Sequence, residues 1–153
     1  MIRVGLDSNI LIYFAGIVRR AEDEAKIAVV RKMIDRIGRA ATLIAPAQAL
    51  GEVFTVMRRT RISANDARTT VMEFVGAFGG VGSGPATLLA AADLAVDHKL
   101  QLWDALIVTA ATEAGCSILL SEDMQHGFVT RGLTIVNPLA EGGHPRLAAL
   151  LDA

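Results

Sequence analysis

The chain has 153 residues, 52% of them hydrophobic but only 5% aromatic, with a formal net charge of -1 and a single cysteine. That length suits one domain, residues 1–153, with its own core; the aliphatic composition argues against disorder, and no apolar run approaches the ~18 residues of a membrane span. One cysteine excludes an internal disulfide or a thiolate cluster, and a charge near zero leaves any nucleic-acid binding to local basic patches.

From the N-terminus, Ile2 to Leu6 is a short apolar run that predicts a strand, and it drives directly into Asp7, Ser8 and Asn9. Too few apolar residues follow Arg3 for a signal peptide, so a cytoplasmic protein is expected. The plain reading of Asp7 is a helix-starting acid, with Asn9 capping the helix. The run Ile10-Leu11-Ile12-Tyr13-Phe14, with Ile17 and Val18, holds more apolar residues than one helix face requires. It predicts a nearby groove for a partner's amphipathic segment, and self-association.

Ala21 to Gly38 has helical spacing, with Ala25, Ala28, Val29 and Met33 along its stripe and Gly38 at its stop. Thr42 to Ala45 predicts a second strand, and Pro46 suits the first turn of a helix reaching about Arg59. Ser63 caps a further helix to about Phe78. The glycine-rich stretch from Gly79 to Pro85 reads as a flexible connection with room for a short strand. Helices follow from Pro85 to His98 and from Trp103 to Ala114, the latter stopped by Gly115, with Trp103 expected in the core among Leu102, Leu106 and Ile107. Ser117 to Leu120 and Leu133 to Val136 complete the strands. Strands separated by helices imply parallel crossovers and an α/β fold whose sheet is covered on both faces.

In such sheets ligands bind outside the carboxyl ends of the strands. Asp7 ends the first strand, and Ser121-Glu122-Asp123 ends the third in the same way. Two further acids interrupt apolar or small surroundings: Glu52 within Ala49 to Phe54, and Asp104 within Leu102 to Ile107. Singly, each has a plain explanation. Glu52 lies opposite the Leu50, Val53, Phe54 and Met57 stripe, as a solvated residue does, and Asp104 begins a helix whose dipole favours an acid. Together, four carboxylates at one edge repel one another unless neutralised, and an oxygen-only set suits Mg²⁺ or Mn²⁺. Carboxylate clusters with such ions serve phosphodiester hydrolysis.

Asp7-Ser8-Asn9-Ile10-Leu11-Ile12-Tyr13, Glu52, Trp103-Asp104-Ala105-Leu106-Ile107, Leu119 to Met124 and Val136-Asn137-Pro138 together resemble a PIN domain, with the greatest similarity to VapC-type toxins of toxin–antitoxin pairs. The resemblance spans nearly the whole chain. It implies a three-layer fold with a small, mostly parallel sheet between helices, a Mg²⁺- or Mn²⁺-dependent ribonuclease activity on an RNA substrate, and an antitoxin that blocks the site. The implied metal-holding acids are Asp7, Glu52, Asp104 and Asp123, with Ser8, Asn9 and Ser121 in support. Glu122, beside Asp123, leaves the fourth acid open to two assignments.

Other residues have weaker claims: His126 as a proton shuttle, and Arg58, Arg59, Arg61, Arg19 and Arg20 as phosphate contacts. Three other functions compete. An aspartyl-phosphate-type phosphatase requires a second acid where Asn9 stands, and a receiver module requires a lysine before the late proline, where Asn137 stands. A catalytically silent PIN-like RNA-binding or interaction module would be marked by a lost acid, and none of the four is missing.

Overall fold

A computed structural model describes all 153 residues. Its six strands are β1 (Ile2–Leu6), β2 (Ala41–Pro46), β3 (Gly79–Val81), β4 (Ile118–Leu120), β5 (Val129–Thr130) and β6 (Leu133–Val136). They form one sheet in the order β3-β2-β1-β4-β6-β5, parallel except where β5 returns antiparallel to β6. Seven helices flank it: α1 (Ser8–Ala15), α2 (Asp23–Ala40), α3 (Ala47–Arg59), α4 (Ala64–Ala77), α5 (Pro85–His98), α6 (Leu102–Glu113) and α7 (Pro145–Leu151). The expected α/β architecture is present, and none of the helices is long and apolar enough to cross a membrane.

Strand order reverses between β1 and β4. From β1 the chain moves outward through β2 and β3, then comes back to the other side of β1 with β4. The carboxyl ends of β1 and β4 therefore flank the switch point, the usual crevice of an open α/β sheet. Their register pairs Leu6 with Leu120, which brings Asp7 alongside Ser121 as the next residues.

The helix over this crevice depends on a missing side chain. A Cβ on Gly5 would stand 3.1 Å from Leu119 Cδ1 and 3.2 Å from Ala111 Cβ, so glycine lets α6 lie close to β1. Ala105 to Ala111 of α6 are buried without interruption, so the helix is enclosed on every side there, and its first turn brings Asp104 close enough to raise Asp7. Gly16 ends α1 with φ 80°, and its N–H donates to Tyr13 O.

Several elements differ from expectation. Helix α2 begins at Asp23 and runs through Gly38 to Ala40, and its buried stripe is Ile27, Val30, Met33, Ile34 and Ile37, while Ala25, Ala28 and Val29 are exposed. The larger apolar side chains bury more area, so they win the inward face. The glycine-rich connection contains β3, paired in parallel with β2. Helix α7 and the two-residue β5 carried too little periodicity to be expected.

The apolar run of α1 is core: Ile10, Leu11, Ile12 and Tyr13 are at most 3% exposed, and Ile17 is buried. It packs against α2 and α3, while Phe14 is half-buried and Val18, beyond the helix end, is exposed. A helix apolar on every side is explained by burial all round.

Candidate active site

The chain ends of β1 and β4 are tied together before any side chain contributes. Asp7 N–H donates to Leu120 O at 3.0 Å, and Ser121 N–H donates to Val136 O at 3.0 Å. Asp7, not Asn9, caps α1: its Oδ1 accepts from Ser8 N–H at 2.7 Å. Its Oδ2 accepts from Ser121 Oγ at 2.7 Å and from Asn9 Nδ2 at 3.2 Å. Both oxygens of a buried carboxylate are thus held, and its plane is fixed.

Asn9 lies within the first turn of α1 and bridges the two strand ends. Its Nδ2 also donates to Asp123 Oδ2 at 3.2 Å, while its Oδ1 accepts from Glu122 N–H at 3.0 Å. Ser121 Oγ, besides donating to Asp7, accepts from Met124 N–H at 3.2 Å, which closes the 121–124 turn. Asp7, Ser8, Asn9, Ser121 and Asp123 therefore belong to one hydrogen-bonded unit.

Glu52 and Asp104 reach the same crevice from α3 and α6, which pack together. Burial pushes the Asp7 carboxyl up to about 6, although hydrogen bonds from Ser121 and Ser8 pull the other way; the charges of Asp104 and Glu52 raise it further. Asp104 is raised too, by burial first and then by Glu52 and Asp123. Asp104 thus feels both Glu52 and Asp123, and Asp7 feels Asp104 and Glu52. No lysine or arginine forms an ion pair with any of them. An all-oxygen donor set with uncompensated negative charge fits a hard divalent cation. No three acids, histidines or cysteines stand at mutual ligating distance as they are.

Glu122 faces away from this cluster. Lys26 Nζ lies 2.9 Å from its Oε2, and Tyr13 Oη donates to its Oε1 at 2.5 Å. That clamp was not foreseen in the sequence, although a phenol inside an aliphatic run needs a partner and was a usable signal. Lys26 gave none, because its partner is remote in the chain. The clamp holds Glu122, whose N–H holds Asn9.

The remaining sequence candidates separate. His126 Nδ1 accepts from Asn137 N–H at 2.9 Å and Nε2 meets Gly143 O at 3.3 Å, so both ring nitrogens are engaged with backbone. Arg58 donates to Ile62 O at 2.9 Å. Arg20 lies near Glu22, and Arg61 sits in the left-handed region at φ 65°. Arg19 and Arg59 line the cleft beside the acids. Trp103 is 55% exposed on the same cleft, so the expectation that it anchors the core is corrected: it precedes the buried face of α6, which starts at Ala105.

Fold and crevice define an α/β protein with an acid-lined binding cleft at the switch point of a mostly parallel sheet. The family model described as PIN domain matches residues 4–128, and the chain belongs to that family. No curated protein matches the chain. Among solved structures, the fold is similar to VapBC2 from Rickettsia felis bound to a promoter DNA fragment, with 11% identity, TM-score 0.61, and 80% of this chain and 89% of that chain covered. It is similar to Mycobacterium tuberculosis VapC20, a toxin that cleaves the sarcin-ricin loop, with 12% identity, TM-score 0.60, and 76% and 86% covered. A toxin–antitoxin complex from Klebsiella pneumoniae gives 16% identity, TM-score 0.62, and 88% and 97% covered.

Proposed function

We propose that this PIN domain protein is a divalent-metal-dependent endoribonuclease and the toxin of a toxin–antitoxin pair. The observation that carries the reading is the approach of four carboxylates from two strand ends and two helices, none of them in an ion pair, with Asp7 and Asp104 both raised by acidic neighbours. Asp7, Glu52, Asp104 and Asp123 would hold Mg²⁺ or Mn²⁺. Such an ion supplies charge neutralisation, water activation and stabilisation of the leaving oxygen.

The chain's own residues prepare that site. Ser121 and Ser8 fix both oxygens of Asp7, and Asn9 sets the spacing between Asp7 and Asp123. In the reaction water oxygen bonds to phosphorus, one phosphorus–ribose oxygen bond breaks, that oxygen gains a proton, and water loses one. The phosphatase reading loses support, since Asn9 stands where a second acid is required and donates to both neighbours instead. Residues 1–153 act as one PIN-like unit in the cytoplasm, as a homodimer or higher oligomer, restrained by an antitoxin encoded beside it. The similarity to VapBC2 and to the Klebsiella pneumoniae toxin–antitoxin complex supports the partner.

The test is incubation of purified protein with total RNA and tRNA, with Mn²⁺ or Mg²⁺ and with chelator, beside Asp7→Asn. Metal-dependent cleavage, lowered by orders of magnitude in the variant, is the expected result. Cleavage that persists in excess chelator overturns the reading.

A further inference from the structure

Glu122 stands between Ser121 and Asp123 in the chain, yet its side chain leaves the cleft for α1 and α2. Its Oε1 accepts from Tyr13 Oη at 2.5 Å, its Oε2 meets Lys26 Nζ at 2.9 Å, and Lys26 Nζ also donates to Tyr13 Oη at 3.5 Å. Tyr13 is fully buried and the Glu122 side chain nearly so, which makes these charge-assisted bonds largely shielded from water. The main chain of Glu122 is held as well. Its carbonyl accepts from Asn137 Nδ2 at 3.5 Å, and its N–H donates to Asn9 Oδ1 at 3.0 Å.

That last bond decides which way the Asn9 amide faces. A backbone N–H can only donate, so Asn9 presents its oxygen there, and its nitrogen then faces Asp7 Oδ2 and Asp123 Oδ2, each at 3.2 Å. The reverse orientation would set an amide oxygen against two carboxylates and an amide nitrogen against an N–H. One N–H therefore determines whether the two acids share a donor or meet an acceptor, and the clamp on the Glu122 side chain holds that N–H in place. Outer partners of this kind orient the side chains that hold a metal and set its affinity.

We propose that Lys26 and Tyr13 are positioning residues of the candidate metal centre: by clamping Glu122 they fix the N–H that orients the Asn9 amide, and through it the placement of Asp7 and Asp123 for a divalent cation. The proposal rests on the metal-dependent reading of the cleft and adds a residue of α2, a helix that supplies none of the four acids.

The experiment titrates Mn²⁺ into the purified chain, with free ion read by electron paramagnetic resonance. Heteronuclear NMR of the metal-free protein follows the Asn9 side-chain amide, below the unfolding transition of every variant. Lys26→Met should weaken Mn²⁺ binding about 10- to 100-fold and speed exchange of the Asn9 Nδ2 protons with solvent. Lys26→Arg should restore most of both, because Glu122 is again paired with a cation, and Tyr13→Phe should shift both in the same direction by less. Arg146→Ala removes bonds to Thr134 Oγ1 and Ser117 O at the opposite end of the sheet. It is the control for lost stability and should leave both readouts at wild-type values. Wild-type Mn²⁺ affinity in Lys26→Met, an Asn9 amide that exchanges no faster, or an equal loss in Arg146→Ala overturns the clamp's role. Should Lys26→Met not fold, Tyr13→Phe decides on the same two readouts. RNA cleavage separates the two ideas. Wild type that cuts RNA with Mn²⁺ while Lys26→Met binds the ion unchanged removes the positioning role alone. Weaker Mn²⁺ binding in Lys26→Met with no cleavage by wild type removes the ribonuclease reading and leaves the positioning role, and a wild type that binds no Mn²⁺ overturns both.

Discussion

Asp7→Asn should make the protein more stable at neutral pH in the absence of metal, and the gain should vanish in acid. Folding raises the Asp7 carboxyl from its ordinary 3.8 to about 6, chiefly by burial. Below about pH 3 the group is protonated in both the folded and the unfolded chain and costs nothing. Between about pH 4 and 6 the unfolded chain releases the proton while the folded one keeps it, so stability falls as pH rises through that window. Above it the penalty levels off at about 3 kcal/mol, from about 1.4 kcal/mol per tenfold change in proton affinity. Asparagine carries no such penalty, but its amide nitrogen cannot accept from both Ser121 Oγ and Asn9 Nδ2, which costs about 1 kcal/mol. The variant should therefore be about 1 kcal/mol less stable than wild type at pH 3, about 0.5 kcal/mol less stable at pH 4 and about 2 kcal/mol more stable at pH 7. Urea unfolding followed by circular dichroism in chelator, at half-unit steps of pH, measures the difference directly. A difference that stays flat from pH 4 to 7, or an asparagine variant that is the weaker protein at pH 7, refutes the reasoning.

Asp104→Asn removes a second charge from the cluster, so it should melt at or above wild type in chelator, by about 0.5–2 kcal/mol, and lose most of the rise in melting temperature that Mn²⁺ gives wild type. An unchanged metal response would remove Asp104 from the site. Lys26→Met leaves Glu122 with only the Tyr13 hydroxyl and should cost about 1–3 kcal/mol in urea unfolding, with Tyr13→Phe costing about 1 kcal/mol; losses below a few tenths would mean the clamp is ornamental. Cys116 is buried, and burial pushes its thiol up to about 11. A disulfide reagent at pH 8 should therefore label it only at the rate of unfolding, and full labelling of native protein within seconds would contradict its position.

The strands that matter were legible because a buried parallel strand is a short apolar run, and β1 and β6 have the bounds that the runs gave. Asp7 stood out for the same reason, as a carboxylate that ends such a run beside the crevice. The helix faces were less legible. In α2 the small alanines share a helical period with the true stripe, and only packing against the sheet chooses Ile27, Val30 and Ile34. In α1 the run showed that more than one helix face is apolar, and which of those residues α2 and α3 cover emerges only in the fold. Asn9 looked like a cap because it is a cap residue type in a cap position; the bridge to Asp123 exists only once β1 and β4 are neighbours. Trp103 misled in the opposite way, since an indole among leucines reads as core, and only the fold shows that the buried stretch of α6 begins two residues later, at Ala105.

The hydrogen bonds that join Asp7 and Asn9 to Ser121, Glu122 and Asp123 span almost the whole chain. During synthesis from the N-terminus, Asp7 leaves the ribosome long before the residues that orient it exist. Strands β1 and β2 pair across a short stretch of chain, but the crevice has no second wall until β4 docks on the far edge of β1, a long-range closure of the kind that comes late in folding. A nascent or prematurely released chain ending before Leu120 thus carries Asp7, Glu52 and Asp104 with no frame to hold them in register, and translation of its last part times the appearance of the site.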